Sequence, residues 1–368
     1  MKPETFKLER YFARYEFSTK YLLSSSDCES VTVADLLTLE PNAREDFDRL
    51  WLGYTESHGD PALRQTVSAL YDTVSADEVL IHTGAEEAIF AFMNVVLQPG
   101  DHIIVHAPAY QSLHEIARTI GAEVTEWRAD EQDGWSLDPE ALRQAIRGNT
   151  KAIVLNCPHN PTGYLMDRER FSTVVAVARA HGLYLFSDEV YRELEHDPAD
   201  RLPAACDLYE RAVSLGVMSK TYGLPGLRIG WIATKDATLY NAMAGFKDYL
   251  TICNSAPSEF LARLALQHRR MLAERSRRIV LDNLDLLDGF FDRQQHLFAW
   301  QRPEAGPIAF PRLLTGGAEA FCKRIVEQAG VLLLPSTLYD AGDSHIRFGF
   351  GRKNLPEAVE HLEAALSP

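Results

Sequence analysis

No stretch of this 368-residue sequence approaches 18 consecutive apolar residues, so no membrane-spanning helix is expected. Its five cysteines, Cys28, Cys157, Cys206, Cys253 and Cys322, are odd in number, scattered and never in CxxC spacing. That excludes a disulfide framework or a cysteine zinc site and reads as reduced thiols. Positive charge is also short. Against 52 Asp and Glu stand 37 Lys and Arg, a net charge of -15, and without a basic footprint neither nucleic acid nor an anionic membrane is an expected partner. The opening MKPETFKLERYFARYEF lacks the apolar core of a signal peptide. With the reduced thiols, this makes the cytoplasm the expected location. There is no Walker loop, GxSxG elbow or glycosidase carboxylate pair. The histidines lack metal-ligand spacing, so no metal is expected, and His58, His82 and His159 read as structural.

What is present is a long alternation. From about Val79 to Thr234, short apolar runs (EVLIH, HIIVHA, KAIVLN, LYLFS, AVSLGV, RIGWIAT) alternate with amphipathic ones. EEAIFAFMNVVL places Ile89, Phe92, Val95 and Val96 at helical spacing, and DPEALRQAI and DRERFSTVVAVARAHG each begin at an Asp cap. Apolar strands alternating with helices predict an α/β fold with a mostly parallel sheet covered by helices on both faces. After Pro257 a long helical stretch follows, then a helix in AEAFCKRIVEQAG, strands in VLLLP and HIRFGF and a final helix, which predict a smaller α+β domain. The length exceeds a single core of roughly 250–300 residues. The expected division is 1–45 as an N-terminal arm or part of the small domain, 46–285 as the large domain and 286–368 as the small C-terminal domain. The first 45 residues show no strong periodicity.

In a parallel α/β sheet, ligands gather at the carboxyl ends of the strands. TGAEEA opens a helix there, aiming the free N–H groups of Ala85 and Glu86 at an anion. APAY places Tyr110, CPHNPTG presents Asn160, and SDEVY brings Asp188 and Tyr191. Lys220 follows VSLGVMS. Singly, each reads as a turn, a packing ring, a cap or a surface charge. Together at equivalent strand ends they match the needs of one cofactor, pyridoxal phosphate. Lys220 would form the Schiff base and shuttle the substrate proton, and Asp188 would keep the pyridine nitrogen protonated. Asn160 and Tyr191 would donate to the phenolate oxygen, Tyr110 would stack on the ring, and Arg228 with the Ala85–Glu86 turn would hold the phosphate.

The ordered motifs GYTESHGDPALR, TGAEEA, APAY, NCPHNPTG, SDEVY, SKTYGLPGLRIGW and HIRFGFG resemble those of the class I/II aminotransferases, fold-type I pyridoxal-phosphate enzymes related to aspartate aminotransferase. The resemblance covers nearly the whole chain and makes 46–285 the cofactor-binding domain. It implies a homodimer with active sites at the subunit interface. Tyr54 then matches the tyrosine that reaches the neighbouring subunit's phosphate, and Arg347 the arginine that grips the substrate α-carboxylate, with Asn160 beside it. One position departs from the pattern: Val217 stands where many relatives carry a phosphate-binding serine. The phosphate contacts are expected to shift to Arg228, Tyr54, Ser219 and the Ala85–Glu86 turn. The implied reaction is transfer of an amino group between an α-amino acid and a 2-oxo acid through a Lys220 Schiff base. The start YLLSSSDCES differs from the usual apolar-glycine segment and resembles that of capreomycidine-synthase-like cyclases, so elimination, cyclisation or C–S lyase chemistry is the alternative.

Overall fold

The computed structural model describes residues 2–366. Among them, seven strands hydrogen-bond into one sheet: β1 (Val79–His82), β2 (His102–Ala107), β3 (Glu123–Arg128), β4 (Thr150–Asn156), β5 (Tyr184–Asp188), β6 (Ala212–Val217) and β7 (Gly230–Ala233). Their spatial order is β1-β7-β6-β5-β4-β2-β3. All pairings are parallel except those of β7, which runs antiparallel to both β1 and β6.

The central strands are apolar along their length because both faces are covered. In β2, Ile103 and Val105 join one core and Ile104 the other, the two-residue period of a strand sorting neighbours to opposite faces. The predicted helices lie between the strands, at Gly84–Val96, Ser112–Ile120, Pro139–Ala145 and Arg168–Ala180. Asp138 and Asp167 cap the last two as expected, accepting from Glu140 N and Arg170 N.

The reversal of β7 matters for what stands at the sheet edge. Gly230, its first residue, pairs with His82 and Val217, the last residues of β1 and β6. The segment entering β7 therefore arrives at the carboxyl edge of the parallel strands. A Cβ on Gly230 would lie 2.8 Å from the carbonyl carbon of Gly84 and 3.0 Å from Ala85 N. Both are backbone atoms, so nothing flexible can yield. Gly230→Ala is expected to cost about 1–3 kcal/mol through forced backbone displacement, read as a lowered melting temperature. An unchanged melting temperature would show that the turn is not held by this contact.

The rest of the chain forms a second cluster of elements. Strands β8 (Ile308–Ala309), β9 (Leu334–Pro335) and β10 (Ile346–Gly349) form an antiparallel sheet with β10 central. Helices Ala318–Ala329 and Leu355–Leu366 accompany it. Three local expectations need correction. The VLLLP run is two short strands, of which Val331–Leu332 pairs with Tyr21–Leu22 and β9 with β10. The long helical stretch after Pro257 is two helices, Ala256–Gln267 and Arg269–Arg293, interrupted at His268, whose ring bonds Glu40. The second runs unbroken through position 285. The N-terminal segment, without strong periodicity in sequence, contains helix α1 (Lys7–Tyr15).

Helix α1 is tied to both clusters. Lys7 N donates to Gln111 Oε1 (2.9 Å) while Gln111 Nε2 donates to Thr5 O (3.0 Å), clamping its start beside the loop after β2. On the other side Lys7 pairs with Asp340 (2.5 Å) and Tyr11 donates to Leu333 O (3.0 Å). Among the described residues no helix is long and apolar enough to cross a membrane.

Candidate active site

A cavity of about 410 Å³ opens at the carboxyl edge of the sheet. Ala85 and Glu86 reach it from the turn after β1, Tyr110 from the loop after β2, and Asn160 from the loop after β4. Asp188 ends β5, with Tyr191 just beyond, and Ser219 and Lys220 follow β6. Arg228 enters from the segment before β7, and Arg347 comes from β10. Val217 lines the same wall. Tyr54 does not. It projects 87% exposed from a separate loop, where Lys247 Nζ holds the backbone by donating to Ser57 O (2.7 Å) and Ile252 O (3.1 Å).

At one end sits an anion-accepting corner. Gly84 has a φ of +78°, and a Cβ there would lie 2.6 Å from Arg228 Nη2. The left-handed φ favours glycine here, and its missing side chain lets the guanidinium lie beside the first turn of the Gly84–Val96 helix, α2, whose leading N–H groups lack helical partners. Arg228 itself adopts a left-handed backbone (φ 51°), and its Nη1 donates to Pro225 O (3.1 Å).

In the middle, Lys220 Nζ donates to Ser26 Oγ at 2.8 Å. Burial holds the lysine pKa below its ordinary value, with Asp27 the strongest opposing influence. Asp188 is pushed up to about 7 by burial, despite the Val190 N–H and the nearby Lys220. Val190 N reaches its Oδ1 at 3.3 Å. The loop beside it is braced by Asn156, which donates to Asp188 O (3.0 Å) and accepts from Asn160 N (2.8 Å). A buried carboxylate with so little compensation favours a cationic neighbour.

At the other end Arg347 is 1% exposed. Its Nη1 donates to Asn160 Oδ1 (3.0 Å) and to the Tyr339 hydroxyl, and its Nη2 to Ser24 O (2.5 Å). Its Nε is buried without a hydrogen-bond partner. Because Asn160 Oδ1 accepts from both Arg347 and Tyr339 OH (3.0 Å), the Asn160 amide nitrogen is left as a donor.

Glu9, Phe12 and Glu16, from α1 and the residue capping it, line the cavity and went unread in the sequence, whereas Ser25, Ser26 and Asp27 belong to the serine-rich segment, for which the sequence left a solvated loop and a polar lid both open. The 9–12–16 spacing is helical and was available as a signal. Nothing local marks Tyr339, which reaches Asn160 from 179 positions away.

Residues 19–362 match the family model described as aminotransferase class I and II. Capreomycidine synthase from Streptomyces vinaceus is 31% identical over 354 residues, spanning 93% of this chain and 88% of the relative. A solved pyridoxal-phosphate-dependent aminotransferase from Streptococcus suis superposes with a TM-score of 0.93 at 33% identity, over 100% of this chain and 98% of the other. The pyridoxal-phosphate-dependent cyclase OrfR superposes with a TM-score of 0.90 at 28% identity, over 99% and 97% of the two chains.

Proposed function

The chain belongs to the aminotransferase class I and II family, which depends on pyridoxal phosphate, and from that premise we propose that it moves an amino group between an α-amino acid and a 2-oxo acid. The observation that carries this reading is a single cavity with a buried amine and carboxylate, Lys220 and Asp188, at its centre. The glycine-backed Arg228 corner and the buried Arg347 stand at its ends. The donor set fits the cofactor: an anion corner for a phosphate, an under-compensated carboxylate for a ring cation and a primary amine for an aldehyde. When bound, pyridoxal phosphate supplies that aldehyde and an electron-accepting ring.

The residues then divide the work. Burial favours the neutral, nucleophilic amine of Lys220, which takes the proton from the substrate α-carbon and returns it. Asp188 would hold a proton on the ring nitrogen, and the free Asn160 amide and the Tyr191 hydroxyl would donate to the phenolate oxygen. Tyr110 would pack against the ring. Arg228, Ser219 and the N–H groups of Ala85 and Glu86 would receive the phosphate. The partner subunit's Tyr54 joins them in a homodimer, a role suited to a side chain so exposed beyond its own cavity. Arg347 binds the substrate carboxylate, with Nε available as a further donor. Residues 1–45 act as an arm closing over the site between a large domain, 46–285, and a small one, 286–368.

A second reading keeps these roles and sends the electron pair at the α-carbon into elimination and ring closure. The similarity to capreomycidine synthase and to cyclase OrfR favours it. Incubating holoenzyme with each of the twenty amino acids and either pyruvate or 2-oxoglutarate separates the two. Transamination is expected to yield alanine or glutamate in step with amino-donor loss, measured by mass spectrometry. Ammonia or a cyclised product without amino transfer would replace the first reading by the second.

A further inference from the structure

We propose that the wall formed by α1 is a cation subsite selecting α-amino acids with a positively charged side chain, an ammonium or a guanidinium. The proposal rests on the reading of this cavity as the place where an amino acid reacts, and it names the class of that amino acid.

The argument is one of charge left over. Three cations line the cavity, Lys220, Arg228 and Arg347, and each already has a task. Of the carboxylates, Asp188 is assigned to the ring nitrogen, and Asp27 takes two bonds from Arg352 Nη2 (2.9 Å each). Glu86 accepts from Ser112 Oγ (3.0 Å), and its carboxyl is pushed up to about 7 by burial. Glu9 and Glu16 remain. Neither forms an ion pair with any described residue, and the bond from Tyr110 OH to Glu9 Oε1 (2.9 Å) is from a neutral donor. Burial first, then Asp27 and Glu9, hold the Glu16 carboxyl above its ordinary value although Arg352 and Lys220 act against them, as expected where carboxylates are crowded.

Their placement suits an extended ligand. Glu9 and Glu16 are seven positions apart and so face the same way, about two helical turns apart. Leu8 and Phe12 line the cavity with them, offering an apolar wall to a methylene chain. An independent feature fixes another part of the cavity: Arg347 lines it, and the lack of a hydrogen-bond partner at its buried Nε calls for an anion. A ligand with a carboxylate at Arg347 and a cation at Glu9 and Glu16 is a basic α-amino acid. A dicarboxylic amino acid would set its second carboxylate against two like charges with no basic residue on that wall.

The test is a spectral titration of the pyridoxal-phosphate holoenzyme with arginine, lysine, glutamate and citrulline, the neutral isostere of arginine. Dissociation constants are read from the cofactor band, and kcat/KM from amino transfer. Arginine or lysine is expected to bind about 10- to 100-fold tighter than citrulline, the range of hydrogen bonds made with a charged partner. In Glu9→Gln and Glu16→Gln the arginine-to-citrulline ratio should shrink, and in the double variant it should fall to within about threefold of one. Using a ratio within each protein cancels any general loss of folding or cofactor affinity. A wild-type enzyme that binds citrulline or glutamate as well as the basic amino acids overturns the subsite, as does a double variant that keeps the preference. If the wild type forms no Lys220-dependent cofactor band, the functional reading fails and the subsite with it. A normal band without cationic preference removes the subsite alone.

Discussion

Lys220→Ala is expected to lower turnover by at least ~10⁴-fold, since it removes both the covalent anchor and the proton carrier, and acid–base catalysis alone is worth about 10²–10⁴. The absorbance band of the lysine-bound cofactor should vanish on the same substitution. The fold should survive it. In the cofactor-free chain Lys220 makes one side-chain hydrogen bond, to Ser26 Oγ, and its ammonium form is disfavoured by burial. Truncation therefore removes a desolvated amine and no central packing, and the melting temperature should stay within a few degrees. A variant that folds, binds pyridoxal phosphate with an unchanged band and still turns over amino acids would disprove the assignment of Lys220.

Asp188→Asn is expected to separate activity from stability. On the proposed reading, the carboxylate would be the buried counter-charge of the ring nitrogen of the bound cofactor. Removing one partner of such a pair costs about 3–5 kcal/mol, or roughly 10²- to 5 × 10³-fold if all of it falls on the rate. Without the cofactor the effect reverses. Burial pushes the Asp188 carboxyl from its ordinary 3.8 to about 7, so between those values the folded chain holds a proton that the unfolded chain has released. Wild-type stability is then highest at the acid end of this window, falls as pH rises through it and levels off above about 7, by up to ~1.4 kcal/mol per unit. The amide of the variant has no such proton to lose. Melting curves of the two cofactor-free proteins should therefore converge towards pH 4 and diverge towards pH 7, with the variant gaining. Parallel curves across the window, or a variant with full activity, would contradict the role given to Asp188.

The same residues show how much of this site could be read in one dimension. Asp188, Lys220, Asn160 and Tyr110 were identifiable because each follows a recognisable apolar strand. Position after a strand in a parallel sheet is a local property with a global consequence. Arg228 was identifiable as a charge after a Gly-Pro turn, but the route by which it reaches the sheet edge is the antiparallel course of β7, and nothing in RIGWIAT marks its direction. The break at His268 was equally silent, because no glycine or proline stands there. The split of VLLLP was hidden as well, since an apolar run has the same pattern whichever sheet each half joins.

Periodicity and strand-end chemistry, written along the chain itself, were enough for the parallel sheet, its covering helices and the residues that gather around Lys220 in one cavity. They depend on neighbours a few positions away, and so survive without knowledge of the fold. The ends of the cavity depend instead on closure between distant segments. Arg347 meets Asn160 across 187 positions, and Lys220 meets Ser26 across 194. Helix α1 is held at the cavity by Gln111 and Asp340 at its first turn and by Leu333 and Tyr110 further along. Side chains that far apart carry no mutual signal in a single sequence. Their meeting is set by how the packed layers come together, and it is there that Glu9 and Glu16 come to line the cavity.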